Sequence, residues 1–169
     1  CANKPHTLIN TSLSSTSTFI SWNWDVQTNG VINYLSKDVT HTFDAAGLDS
    51  ISLVGITANG CKDTIVKTIV TNTLPVANFS SLPVCLNETT SFLDLSTGVI
   101  VAWEWDFLTD GQLNSDKQNP DYTFTNAGNS ATQLKVTTNQ GCVDSITINS
   151  LTNSLPQANF TSLKQCFPE

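Results

Sequence analysis

Apolar and polar residues alternate along this chain in short runs, and the alternation has a period of two. Thr7-Leu8-Ile9, Phe19 to Trp24, Thr40 to Phe43, Ser50 to Val54 and Thr64 to Val70 each read as a strand. A second set follows at Thr89 to Leu95, Ile100 to Phe107, Tyr122-Thr123-Phe124, Thr132 to Thr138 and Ser145 to Ile148. Asn29-Gly30, Asn59-Gly60, Asp110-Gly111 and Gln140-Gly141 punctuate these runs as turns. Helical periodicity is nearly absent. Short strands with such punctuation predict an all-β fold made of small antiparallel β-sandwiches.

The two sets are one pattern written twice. Trp22-Asn23-Trp24-Asp25 returns as Trp103-Glu104-Trp105-Asp106, 81 positions later (103 − 22). Gly30 falls on Gly111, Phe43 on Phe124 and Gly60-Cys61 on Gly141-Cys142 at the same offset. Leu74-Pro75 and Ala77-Asn78-Phe79 fall on Leu155-Pro156 and Ala158-Asn159-Phe160. A repeat of this length is one small domain rather than a solenoid unit. The expected organisation is a domain over 1–73 without its opening strand, a complete domain over 74–154, and the opening segment of a third over 155–169. The chain then reads as a window from a longer array. If it were a whole protein, the last segment could complete the first domain of a neighbouring copy by strand addition.

Charge narrows the partners. The 169 residues carry a net charge of −7, only 12% are charged, and the seven basic residues are all Lys. With no Arg fork and no Lys cluster, nucleic acid and anionic membrane are excluded as expected partners. No apolar run approaches the ~18 residues of a membrane span, so membrane insertion is not expected.

Units of about 80 residues bury modest cores and often need a covalent staple. Five cysteines occupy matched places, Cys1 with Cys85 and Cys166, and Cys61 with Cys142. One bridge per unit is expected, Cys1 with Cys61 and Cys85 with Cys142, leaving Cys166 unpaired. Each bridge would close a loop of nearly 60 residues, worth roughly 4 kcal/mol on the chain-entropy model. Neither two-residue Cys spacing nor a His cluster supports a metal. Disulfides imply an oxidising, extracellular location.

Trp103-Glu104-Trp105-Asp106-Phe107, Asp110-Gly111, Gln118-Asn119-Pro120 and Tyr122-Thr123-Phe124 resemble the PKD (polycystic kidney disease) domain. That family's pattern is Trp-Asp-Phe-Gly-Asp-Gly, an Asn-Pro pair, an aromatic and a Gly; here Leu108-Thr109 precedes Asp110-Gly111. The Gly-Cys pairs at Gly60-Cys61 and Gly141-Cys142 are similar to PKD-like repeats of large Bacteroidetes surface proteins. Gliding-motility adhesins and other cargo of the type IX secretion system are among these. The resemblance implies immunoglobulin-like sandwiches working in extracellular arrays at the cell surface, and it supplies no active site. Ser50, Thr64 and Ser145, in Asp-Ser/Thr-aliphatic triplets, resemble O-glycosylation acceptors of such proteins.

Three further constellations bear on chemistry. Trp22 with Trp24, and Trp103 with Trp105, share a strand face, either as a platform for sugar rings or as core; duplication in both units favours core. Asp106, Asp110 and Asp116 offer oxygen ligands at short spacing for calcium, though Asp110-Gly111 also reads as turn chemistry. No catalytic set appears, because Glu104 becomes Asn23 and neither His6 nor His41 recurs. The chain is expected to be no enzyme and to need no cofactor beyond that calcium. Its expected partners are neighbouring repeats of the same chain, surface polysaccharide and other cell-surface proteins.

Overall fold

The computed structural model describes residues 1–162, and all regular structure among them is β. Cys166, expected to be unpaired, lies outside the described residues. The chain forms two compact units. Unit 1 comprises Cys1–Pro75 with Thr138–Val143, and unit 2 comprises Val76–Thr137 with the chain from Asp144 onward.

Unit 1 contains β1 (Pro5–Leu8), β2 (Phe19–Asp25), β3 (Val39–Thr42), β4 (Gly47–Thr57) and β5 (Lys62–Thr71). One sheet pairs β1 with β3, and the other runs β2-β4-β5. Alternation places Ile51 and Leu53 of β4 inward, beside Trp24, Val26, Val39 and Phe43.

Unit 2 has β6 (Phe79–Ser81), β7 (Val84–Cys85), β8 (Thr89–Asp94), β9 (Ile100–Asp106), β10 (Asp121–Thr123), β11 (Gly128–Thr138) and β12 (Val143–Asn153). Its sheets run β10-β8-β6 and β7-β12-β11-β9. Phe79, Phe92, Trp105, Phe107, Phe124, Leu134 and Val136 fill the space between, each at most 4% exposed. The topology is that of an immunoglobulin-like sandwich. β6 and β7 are the opening strand, split so that β6 joins one sheet and β7 pairs in parallel with β12 of the other.

Unit 1 has no counterpart of β6. Its first residues correspond to unit 2 at an offset of 84 (85 − 1), not 81, so three extra residues lie between Asn10 and Phe19. Equivalent bonds fix this register. The Asn10 N–H donates to Asp38 at 2.8 Å as that of Asp94 donates to Asn119 at 2.9 Å. Asn3 and Asn87 both have positive φ, 54° and 69°.

The expected disulfide pairing is corrected. The bridge joins Cys1 to Cys142, both in unit 1, whereas Cys61 and Cys85 are free. Strand direction explains this. The Ala2 N–H donates to the carbonyl of Asn72, so Cys1 sits beside the far end of β5, while Cys61 immediately precedes its start. Ten extended residues put about 30 Å between them, against the 4.4–6.8 Å a bridge allows. Cys85 likewise pairs with Asn153 at the end of β12, and Cys142 precedes that strand's first residue. The expected pairs, Cys1 with Cys61 and Cys85 with Cys142, are therefore geometrically closed off.

Candidate functional site

The turn after each Trp-x-Trp-Asp strand is built by its aspartate. Asp106 Oδ1 accepts the N–H of Leu108 at 3.1 Å and of Asp110 at 3.3 Å, and Oδ2 accepts that of Gly111 at 2.8 Å. Asp25 repeats this with Gln27, Asn29 and Gly30 at 3.1, 3.3 and 2.7 Å. Burial raises the Asp25 pKa, but the N–H groups of Gly30, Gln27, Asn29 and Thr28 outweigh it and hold the carboxyl below its ordinary value. Gly30 and Gly111 both take φ of 84°, the left-handed conformation that favours glycine.

This spends the carboxylates on backbone, which bears on calcium. Asp106 is occupied as described, and Asp110 Oδ1 accepts the N–H of Gln112 at 2.9 Å. The structure does not gather Asp106, Asp110 and Asp116 into a ligand set, and no group of three or more metal-capable side chains forms among the described residues.

The tryptophans pack inward. Trp24 and Trp105 are 6% and 0% exposed, and each donates its indole N–H to a carbonyl, Ser36 at 3.0 Å and Lys117 at 2.8 Å. Trp22 and Trp103 are half-buried against the same cores. The Trp103 indole donates to Asp94 Oδ2 at 2.7 Å, a contact that fixes the strand edge.

The feature that sequence patterning did not reveal is a groove in unit 1, a cavity of about 620 Å³. It runs between the edge residues Thr7 to Ser14 and the inner faces of β4 and β5. Leu8, Trp24, Leu53 and Ile69 form apolar walls, with Lys62, Asp63 and Lys67 along one side. Exposure tracks it: Leu134 of unit 2 is 0% exposed, while Leu53 in the same place is 7%, and Ile65 is 48% exposed.

A family model, described as the PKD domain, matches residues 72–152. The PKD1 domain of Vibrio anguillarum Epp is 30% identical and is covered along 100% of its length by 50% of this chain, with a TM-score of 0.44. The chain belongs to the PKD domain family. A second PKD1 domain, from the Vibrio cholerae metalloprotease PrtV, is 28% identical over 48% of this chain and 99% of its own, with a TM-score of 0.42. Fibronectin(III)-like modules of Clostridium thermocellum CbhA align with 95% of this chain and 93% of theirs at 12% identity and a TM-score of 0.47. No curated protein matches the chain.

In this PKD framework the candidate O-glycan acceptors fall on the last strand of each unit and on β4. Thr64 and Ser145 are exposed at equivalent places, and Ser50 is half-buried. The Thr64 N–H donates to Asp63 at 2.9 Å, so the Asp of that triplet orients the backbone of the acceptor. The disulfide fits an oxidising, extracellular setting.

Proposed function

We propose that this chain is a non-catalytic segment of a long secreted cell-surface protein, a stalk or adhesive filament of tandem PKD-type sandwiches. The sandwiches run over 1–73 and 74–154, and a third opens over 155–169. The observation that carries this is the duplicated turn. Asp25 and Asp106 spend both carboxylate oxygens on the same backbone N–H groups, so the best-formed polar constellation of each unit works to hold the fold. What remains outside is a sparsely charged surface of hydroxyls and amides with apolar side chains such as Leu13, Leu48 and Leu82 among them, suited to spacing and to weak contact with surface polysaccharide or cell-surface proteins. The resemblance of the Gly-Cys pairs to Bacteroidetes repeats supports a parent among gliding-type adhesins exported by type IX secretion. O-glycans on Thr64 and Ser145 would belong to that setting, and an intact mass equal to the bare polypeptide would remove them.

Deleting residues 74–154 in frame from the native protein is the functional test. The expected result is weaker surface attachment with any secreted hydrolytic activity intact. A second reading has support from the relative in a Vibrio cholerae metalloprotease. There the segment would be an accessory module of an extracellular protease or polysaccharide hydrolase. A catalytic domain in the same polypeptide, with hydrolysis lost and attachment kept after the deletion, would decide for it.

A further inference from the structure

We infer that the disulfide of this fold is a fastening between successive repeats. In an array, Cys85 bonds the Gly-Cys cysteine of the repeat that follows, and Cys61 bonds the opening cysteine of the repeat before. This pairing presupposes the tandem arrangement proposed above.

The one bridge among the described residues sets the rule. Cys1 opens the first repeat in sequence, whereas Cys142 lies in the turn between β11 and β12, in the second. In space that turn, within Thr138–Val143, belongs to unit 1. Each free cysteine is held in the same backbone frame as a bridged one. The Leu86 N–H donates to the Asn153 carbonyl at 2.8 Å, as that of Ala2 donates to Asn72 at 2.8 Å. The Glu88 N–H donates to the Cys85 carbonyl at 3.0 Å, as that of Lys4 donates to Cys1 at 3.4 Å. Cys85 is thus presented as Cys1 is, at the end of the last strand, where the chain leaves its sandwich. The Gly-Cys side matches as well. The Thr57 N–H donates to the Cys61 carbonyl and the Gly60 N–H to the Thr57 carbonyl, both at 2.9 Å. Thr138, Cys142 and Gly141 repeat both bonds at 2.9 Å, and Gly60 and Gly141 take φ of 79° and 77°. An opening cysteine at the exit end of its sandwich reaches forward, so equivalent frames give equivalent bridges from each repeat to the next.

Cys61 is exposed and Cys85 half-buried, so both thiols are open to an oxidant. That oxidant is a disulfide, either small or carried by an oxidoreductase. One cysteine thiolate attacks it and displaces one of its sulfurs as a thiol. The thiolate of the neighbouring repeat then displaces the other. A protein S–S bond forms, the oxidant's S–S bond breaks, and its two thiols carry off two electrons and two protons.

Such bridges overlap, and the overlap resists pulling. A bridge that ends at Cys61 is followed by one that starts at Cys85, only 24 residues on (85 − 61). That step and the next bridge together advance the array by two repeats, 162 residues (2 × 81). At ~3.6 Å per residue, unravelling two repeats releases at most ~85 Å with the bridges intact, against ~580 Å for the reduced chain.

The test is a non-reducing peptide map of residues 1–154 continued by a second copy of residues 74–154. The protein is refolded in a glutathione redox buffer and its free thiols are alkylated. Three consecutive repeats are then present whatever the parent contains. A parent without further repeats would remove the array and leave the pairing rule standing. The expected map links Cys1 to the first Cys142, and Cys85 to the Cys142 of the second copy. Cys61 and the second copy's Cys85 are alkylated. Cys85→Ser should leave Cys1–Cys142 in place and convert the second copy's Cys142 to an alkylated thiol. Cys85 linked to Cys61 or to the first Cys142 overturns the inference. So does Cys85 alkylated while Cys1–Cys142 forms, or a second Cys142 still bridged in the Cys85→Ser variant.

Discussion

The ring of Phe19 lies against Gly55: a Cβ added to Gly55 would stand 2.8 Å from Phe19 Cε1 and 2.8 Å from Trp22 Cζ3. Unit 2 solves the same place with the opposite distribution of volume, Ile100 for Phe19 and Val136 for Gly55. Gly55→Val alone should therefore cost about 1–3 kcal/mol through overpacking. Phe19→Ile alone should lose a comparable amount through the space it leaves. The double variant should lose less than the sum, with a favourable coupling of roughly 1 kcal/mol or more in a urea-unfolding cycle. Additive losses would show that the two positions do not share one volume.

Cys1–Cys142 closes a loop through 141 residues of sequence separation. On the chain-entropy model a loop of that size is worth roughly 5 kcal/mol, so Cys142→Ser should lower unfolding stability by up to that amount. Cys61→Ser and Cys85→Ser should each change it by less than about 0.5 kcal/mol. A non-reducing peptide map should link the peptides holding Cys1 and Cys142. Finding Cys1 linked to Cys61 would contradict the structure directly.

Local signals were legible where chemistry and neighbours lie close in sequence. The alternation of β4 and β11, the glycine turns and the inward tryptophans all follow from period and spacing, because each depends on residues within a hairpin. The cysteine pairing was not, although the positions were. It depends on the opening segment lying parallel to the last strand, a contact made by residues about 70 apart, such as Cys85 and Asn153. The register before Asn10 was hidden for a similar reason: the three extra residues fall in a polar Ser/Thr run that carries no period. The groove escaped too, since its lining is drawn from β1 and the run after it, β2, β4 and β5, segments far apart in sequence.

Asp94 sets an acid limit on unit 2. Burial raises its pKa, but the Ser96 hydroxyl and N–H, the Trp103 indole and Gln118 outweigh that and hold it below the ordinary 3.8. A depressed folded pKa means that the ionised form stabilises the fold above the unfolded value, and that this contribution is lost as pH falls through the folded one. Stability of unit 2 should thus be flat above about pH 5 and fall below about pH 4. Asp94→Asn should cost about 1–2 kcal/mol at neutral pH and flatten the acid limb. Unit 1 gives the natural comparison, with Asn10 in that place and its Nδ2 buried without a hydrogen-bond partner. The swap Asn10→Asp with Asp38→Asn rebuilds the Asp94–Asn119 arrangement and offers Trp22 an acceptor. The double variant should be more stable than either single one, measured by urea unfolding at pH 7; if it is not, the indole contact is not what Asp94 contributes.

Thr109 shows what the turn costs. Its φ is 49°, as is that of Thr28, and a β-branched residue in the left-handed region carries a penalty of about 1–2 kcal/mol. Three N–H bonds to Asp106 hold it there, so the carboxylate over-determines the strained residue. Glycine at 109 would remove the strain while giving up the Thr109 hydroxyl's bond to the Leu108 carbonyl and adding freedom to the unfolded chain. The balance favours the variant: Thr109→Gly should raise stability by about 0.5–1 kcal/mol. Asp106→Ala should lower it by about 1–3 kcal/mol, because three backbone donors lose their acceptor. In the Asp106→Ala background the gain from Thr109→Gly should shrink, since a turn no longer held can relax its own strain. An undiminished gain, read from denaturant midpoints of the four proteins, would mean that the backbone of the turn is fixed by something other than the aspartate.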